Sequence, residues 1–198
     1  MAQLLIGATA RIFFRWKVIG RERIPKTGAL IASNHLSNYD PPLLGSAIPR
    51  EIYYFAKAEL FKNVFIGAFL KSVYAFPVRR GETDRDAWRL SKSLLQRGKL
   101  LLFFPEGTRS KDGEIQAAKP GMARLALAAG VPVVPAAISG SNRLRDVFFR
   151  RSKLRIGFAN PVLIHEFDKD DSESFRGERL TEKVMSEIKR LKAEVDAS

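Results

Sequence analysis

Short apolar runs, separated by stretches with helical patterning, recur along this chain and limit it to folds in which strands alternate with helices. At 198 residues the length fits one domain. We therefore expect an α/β fold, a single-domain sandwich with a mixed, largely parallel sheet flanked by helices. Thr83, with Asp86 three residues later, is the predicted N-cap of a helix that extends to about residue 96. The predicted strands are residues 29–32, 52–56, 73–76, 100–104, 131–138 and 153–158, and the predicted helices are residues 43–48, 61–69, 83–96, 122–129 and 180–195.

The first 20 residues are predicted to form an amphipathic helix that precedes a domain of residues 21–198. Leu5, Ile12 and Trp16 share one helical face, whereas Arg11 and Arg15 lie together on the other. A basic helix with aromatic residues suits the membrane interface, but the same face could also pack onto the domain. No run of about 18 apolar residues occurs, so we expect no ordinary membrane span.

The net charge of +13 predicts a polyanionic partner, such as an anionic membrane face, a phosphorylated substrate or nucleic acid. A basic cluster that contains Phe148 and Phe149 fits docking on anionic lipid, although it could also bind RNA, or its phenylalanines could be buried. The chain has no cysteine, which excludes disulfides and thiolate chemistry, and only two histidines, so we expect no histidine-rich zinc site. The basic cluster around Phe148 and Phe149 comprises Arg143, Arg145, Arg150, Arg151, Lys153 and Arg155.

Polar residues follow the first predicted strand and include His35 and Asp40. If the chain turns into a helix here, this spacing brings Asp40 to the side that His35 occupies. A carboxylate that accepts from one ring nitrogen fixes the imidazole tautomer and leaves the other nitrogen free to take a proton. The pair predicts a base that activates a hydroxyl, although a lone histidine after a strand can also be structural.

A second polar segment follows the apolar run of residues 100–104. Pro105 ends the strand, and Gly107 lets the backbone bend. Glu106 could accept from a substrate hydroxyl, and the planar guanidinium of Arg109 suits phosphate or carboxylate. Two polar loops after two strands could converge on one cleft.

Together, the His-x4-Asp motif and the block Phe-Pro-Glu-Gly-Thr-Arg-Ser of residues 104–110 resemble the glycerolipid acyltransferase family, most closely its 1-acylglycerol-3-phosphate acyltransferase branch. The resemblance covers residues 17–161. It implies an α/β sandwich, with His35 as general base and Asp40 as the carboxylate that orients it. Because this pair contains no nucleophile, the resemblance implies direct attack by the acceptor hydroxyl on an acyl thioester, without an acyl-enzyme.

The resemblance also implies a binding site for the acceptor and its phosphate. Glu106 and Gly107 match the acceptor-binding motif, and Arg109 matches the arginine that binds phosphate. Arg79 stands where the second motif commonly has aspartate, so this site is unusually cationic and lacks the contact that the aspartate makes. The full predicted acceptor and phosphate set is Ser37, Lys57, Arg80, Glu106, Gly107, Thr108 and Arg109.

A Ser-His-Asp arrangement is the alternative chemistry, because Ser33 and Ser37 lie near His35 in sequence. The chain has no Gly-x-Ser-x-Gly elbow, which argues against it. No metal site and no cofactor are expected, with acyl-CoA or acyl-carrier protein serving as co-substrate.

The predicted function is transfer of a fatty acyl group to the free sn-2 hydroxyl of 1-acylglycerol-3-phosphate, giving phosphatidic acid in phospholipid biosynthesis. Another lysophospholipid or glycerol-3-phosphate acyltransferase is the alternative within the family. A basic RNA- or membrane-binding protein without catalysis is the alternative of a different class. Binding alone needs neither His35 paired with Asp40 nor Glu106 beside Gly107, so nucleic acid is not the expected partner. The expected location is peripheral, at the cytoplasmic face of the bacterial inner membrane.

Overall fold

The computed structural model describes residues 16–79, 84–110, 112–149, 151–167 and 172–197. In these residues seven strands form one sheet, in the order β1-β7-β6-β2-β5-β3-β4. The strands are β1 (Lys17–Ile19), β2 (Ala29–Ser33), β3 (Ile52–Lys57), β4 (Ala75–Val78), β5 (Leu100–Phe103), β6 (Val133–Ser139) and β7 (Arg155–Phe158).

The sheet is mixed and mostly parallel. Strands β6, β2, β5, β3 and β4 run parallel to one another, whereas β7 is antiparallel to β6 and parallel to β1. Ala32 pairs with Phe103 of β5 on one side and with Pro135 of β6 on the other. The five parallel strands therefore end at one edge of the sheet, where ligands bind in open α/β sheets.

Helices cover both faces of the sheet, which confirms the predicted α/β sandwich. One core contains buried side chains of α1 and α5 together with Phe61 and Leu70, and the other contains those of α3, α4 and α6. No helix in the described ranges is both long and apolar enough to cross a bilayer. The helices are α1 (Asp40–Ala47), α2 (Val64–Ser72), α3 (Arg85–Gln96), α4 (Gly121–Ala129), α5 (Leu144–Phe148) and α6 (Glu173–Ala197).

Some local features differ from the predictions. Lys17–Ile19 is a strand, because it pairs with β7, so the predicted helix of residues 1–20 is wrong at its end. Residues 1–15 lie outside the described residues, so the rest of that helix stays a prediction. The N-cap of α3 is Asp84, whose side chain accepts from the backbone N–H of Ala87, and not Thr83. The short helix α5 was not predicted, because its five residues are too few to give a periodic pattern.

Candidate active site

His35 and Asp40 lie in contact at the end of β2. The Nδ1 atom of His35 is 2.8 Å from Oδ2 of Asp40. Asp40 is fully buried, and the same oxygen accepts the backbone N–H groups of Leu36, at 2.6 Å, and Ser37, at 2.8 Å. Among the described residues, Nε2 of His35 has no hydrogen-bond partner. The arrangement therefore fixes the imidazole through Nδ1 and leaves Nε2 as the atom that can accept a proton.

The pair does not arise from a helical turn, as the sequence suggested. Residues 34–37 are irregular and residues 38–39 form a turn, and Asp40 is the first residue of α1. Its carboxylate turns back onto the amides of the preceding loop. A negative charge at this position is favourable because the first N–H groups of a helix carry partial positive charge.

Glu106 joins the loop of His35 to the loop that follows β5. Its Oε1 accepts the backbone N–H of His35, and its Oε2 accepts that of Gln116, both at 3.0 Å. The side chain is only 3% exposed. Burial raises the pKa of the Glu106 carboxyl above its ordinary value of 4.5, while the two N–H groups act in the opposite direction. Each oxygen thus accepts one backbone N–H, so Glu106 holds the two loops together, and its expected contact with a substrate hydroxyl stays a prediction.

Two further contacts hold the histidine. Its ring stacks on Phe104, with 3.9 Å between the ring centroids and 15° between the planes. Its backbone carbonyl accepts the N–H of Ser110 at 2.8 Å. The base is thereby fixed through its ring, its N–H and its carbonyl. Neither the stacking on Phe104 nor the bond from Ser110 had been predicted, because nothing in a sequence pattern states which residues of two distant loops will meet.

Asn34 fixes the same loop to β6. Its side-chain amide donates to the carbonyl of Ile138 at 3.0 Å, and its Oδ1 accepts the N–H of Ile138 at 2.9 Å. The side chain thus continues the pairing of β2 with β6 after β2 has ended. No sequence motif indicates a role for Asn34, and its position directly after a buried strand is the one local signal that points to it.

Three of the predicted acceptor-binding residues are exposed in the loop after β5. They are Gly107, Thr108 and Arg109. Gly107 has φ 71°, and a Cβ atom there would lie 3.2–3.3 Å from three side-chain atoms of Lys119. Lys119, for which no sequence motif predicts a binding role, therefore brings a further cation to this loop.

The other predicted site residues lie in different surroundings. Lys57 is exposed at the end of β3, at the same edge of the sheet. Ser37 stabilises the turn, because its hydroxyl accepts the N–H of Tyr39 at 2.9 Å. Arg80 lies outside the described residues, so its phosphate-binding role stays a prediction.

A Ser-His-Asp arrangement has no support among the described residues. The hydroxyl of Ser33 donates to the carbonyl of Asn34, and that of Ser37 accepts from Tyr39. Neither hydroxyl bonds to the imidazole of His35. Within the residues that the structure describes, no group of three His, Cys, Asp or Glu residues is placed to hold a metal ion.

Several known proteins are similar to this chain in sequence. A family model described as "Acyltransferase" matches residues 15–139, which include His35, Asp40, Glu106 and Arg109. The 1-acyl-sn-glycerol-3-phosphate acyltransferase of Bacillus subtilis is 34% identical over 182 residues, which cover 91% of this chain and 89% of the relative.

Two further relatives have longer chains. The chloroplastic 1-acyl-sn-glycerol-3-phosphate acyltransferase LPAT1 of Arabidopsis thaliana is 30% identical over 148 residues. The aligned residues cover 73% of this chain and 41% of that relative. The crystal structure of the 1-acyl-sn-glycerophosphate (LPA) acyltransferase PlsC from Thermotoga maritima aligns with a TM-score of 0.69 and 25% identity. That alignment covers 93% of this chain and 77% of the other.

Proposed function

This chain belongs to the acyltransferase family, and we propose that it moves a fatty acyl group from acyl-CoA or acyl-carrier protein to the free sn-2 hydroxyl of 1-acylglycerol-3-phosphate. The product is phosphatidic acid, an intermediate for phospholipid synthesis. One observation carries the proposal: Asp40 holds Nδ1 of His35 at 2.8 Å, while Nε2 has no partner among the described residues.

The reaction is a direct transfer. Nε2 of His35 takes the proton of the acceptor hydroxyl as that oxygen attacks the thioester carbonyl. The carbon–sulfur bond then breaks, and the imidazolium returns the proton to the departing thiolate. Asp40 stabilises the charged imidazolium between the two steps. No protein nucleophile takes part, so no acyl-enzyme forms and both substrates are bound at the same time.

Cationic side chains at the carboxyl edge of the sheet supply the acceptor phosphate site. Arg109 and Lys119 belong to the segment after β5, and Lys57 ends the neighbouring strand β3. Both β5 and β3 run parallel to β2, the strand that precedes His35. Arg109 binds the phosphate through its planar guanidinium.

The test of this function is acyl transfer from labelled palmitoyl-CoA, with lysophosphatidic acid and glycerol-3-phosphate as competing acceptors. Wild type forms phosphatidic acid, and His35→Ala lowers kcat/KM by about a hundredfold or more. His165→Ala is the matched control, because His165 is the other histidine of the chain, is exposed in the turn Ile164–Glu166 and should leave the rate unchanged. If only glycerol-3-phosphate were acylated, the proposed acceptor would be contradicted. Equal rates in His35→Ala and wild type would contradict the mechanism.

The protein associates with the membrane surface through an apolar surface on α2. Val64 and Phe65 are 79% and 87% exposed, and Ile66 and Phe69 are also exposed. We call Val64, Phe65, Ile66 and Phe69 the α2 apolar surface. The helix has no acidic residue, and Lys62 and Lys71 lie close to its two ends. Exposed apolar side chains between basic residues suit insertion into the headgroup region of an anionic bilayer, where the lipid acceptor resides.

A further inference from the structure

A cavity of about 570 Å³ opens beside the loop of the catalytic base. Ser37 and Tyr39 line it on the side of the His35 loop. On the other side it is lined by the segment that follows β6, including Arg143, Arg145 and Arg151. We call it the arginine cavity. It lies partly outside the residues that the family model matches, which end at 139.

The arginine cavity carries a net positive charge. Among the described residues, Arg143, Arg145 and Arg151 make no side-chain hydrogen bond and no ion pair. Asp146 is the one acidic residue in the lining, so the lining charges sum to a net positive value. A concave surface with several unpaired guanidinium groups attracts a ligand with more than one negative charge.

Ser141 provides a second, independent indication of a ligand. It lines the cavity and is 1% exposed, and its hydroxyl has no hydrogen-bond partner. Buried hydroxyl groups in native proteins almost always have a partner. The Ser141 hydroxyl is therefore a polar group in the wall of a cationic cavity that is available to bond a polar ligand.

The arginine cavity and the proposed acceptor site lie on opposite sides of the base. His35 follows β2, which is in the middle of the parallel strands. Arg109 follows β5 and Lys57 ends β3, on one side of β2. Arg143 follows β6, on the other side, and the side chain of Asn34 holds the His35 loop against that strand. A direct transfer needs two anionic substrates at once, which requires two separate anion sites around one base.

We infer that the arginine cavity binds the phosphates of the acyl donor, a coenzyme A thioester. This inference rests on the proposed acyl transfer, because the reaction supplies the donor. Coenzyme A carries three phosphate groups, whose negative charges complement the positive charges of the three arginines. The rings of Tyr39 and Phe149 are exposed and line the cavity, where the adenine ring can stack on them.

Direct binding of coenzyme A, measured by calorimetry without any acceptor, tests this inference independently of turnover. Arg145→Gln should weaken binding about tenfold or more, because it removes a charge-assisted contact. Ser141→Ala should weaken it about fivefold without lowering the thermal unfolding temperature, because its hydroxyl has no partner to lose. Arg89→Gln is the matched control: it removes the same charge from an exposed site on α3, on the other face of the sheet, and should leave binding unchanged.

Steady-state kinetics assign the site to one substrate. Arg145→Gln should raise KM for palmitoyl-CoA about tenfold and leave KM for lysophosphatidic acid unchanged. A rise in KM for lysophosphatidic acid alone would make the cavity an acceptor site and overturn the inference. The inference would also be overturned if wild type did not bind coenzyme A, or if all variants bound it equally. The same holds if Arg145→Gln weakened only the binding to anionic liposomes. Coenzyme A binding that depends on Arg145, in a protein that transfers no acyl group, would support the inference and contradict the proposed function.

Discussion

The backbone N–H of His35 donates to Oε1 of Glu106 at 3.0 Å, across 71 residues of sequence. The other oxygen of Glu106 accepts from Gln116. The position of the proposed base therefore depends on the loop that follows β5, and that loop also carries the exposed Arg109. One buried carboxylate thus couples the catalytic loop to the proposed phosphate site.

Asp40→Asn tests the orienting role of the carboxylate. One Asp40 oxygen accepts from His35 and from two backbone N–H groups, and the uncharged amide no longer stabilises the imidazolium. We expect kcat to fall about a hundredfold with little change in KM for either substrate. Asp86→Asn, at an exposed position on α3, is the control. A rate for Asp40→Asn equal to that of the control would exclude the orienting role.

Glu106→Gln tests the link between the two loops through its pH dependence. Because burial raises the pKa of Glu106 above 4.5, the folded state retains this proton to a higher pH than the unfolded chain. The contribution of Glu106 to the free energy of unfolding therefore falls as the pH rises from 4.5 through the raised pKa. Glutamine does not titrate, so the stability of wild type relative to Glu106→Gln should decline over that window.

Urea unfolding of both proteins between about pH 4 and pH 7 measures this difference. The amide nitrogen of glutamine cannot accept one of the two backbone N–H groups, so the variant should also be about 1–3 kcal/mol less stable at the acidic end. A difference that is constant with pH, or that grows as the pH rises, would contradict the assigned direction.

Asn34→Ala tests whether the side chain completes the pairing with β6. The substitution leaves the N–H and the carbonyl of Ile138 without their partner in a buried site. We expect the free energy of unfolding to fall by about 2–4 kcal/mol. Asn142→Ala, at an exposed position, is the control and should cost far less. Equal stability of the two variants would mean that water or a neighbouring strand replaces Asn34.

Arg109→Ala tests the acceptor phosphate site. Loss of the guanidinium should raise KM for lysophosphatidic acid about tenfold, because hydrogen bonds to charged groups contribute about 1.5–3 kcal/mol. KM for palmitoyl-CoA should not change. Arg89→Ala, on α3, is the control. An unchanged KM for lysophosphatidic acid would remove Arg109 from the site.

Phe65→Ser tests the α2 apolar surface. The side chain is 87% exposed, so the substitution should leave the thermal unfolding temperature unchanged. Binding to anionic liposomes should weaken about tenfold, because the apolar ring no longer inserts. Leu90→Ser, exposed on α3, is the control for loss of an apolar side chain. A lower unfolding temperature with unchanged liposome binding would mean that another part of the protein covers this surface.

Most of the sheet could be predicted from the sequence, because buried strands require short apolar runs and turns require residues such as Pro105 and Gly107. The strand β1 could not, since three residues give no pattern and only pairing with β7 makes them a strand. The exposure of Phe65 could not be predicted from the sequence either, because helical spacing identifies an apolar face but does not show whether that face is buried or exposed.

The sequence by itself determined most of the strands and helices and the two motifs that carry His35, Asp40, Glu106 and Arg109, because these depend on local periodicity and on residue types at short spacing. The tertiary structure alone decided that Glu106 binds the amide of His35, that Asn34 bonds to β6, and that three arginines line a cavity beside the loop of His35. The physical reason is that these contacts depend on strand order and register. Both result from packing of the whole chain, which no local pattern encodes.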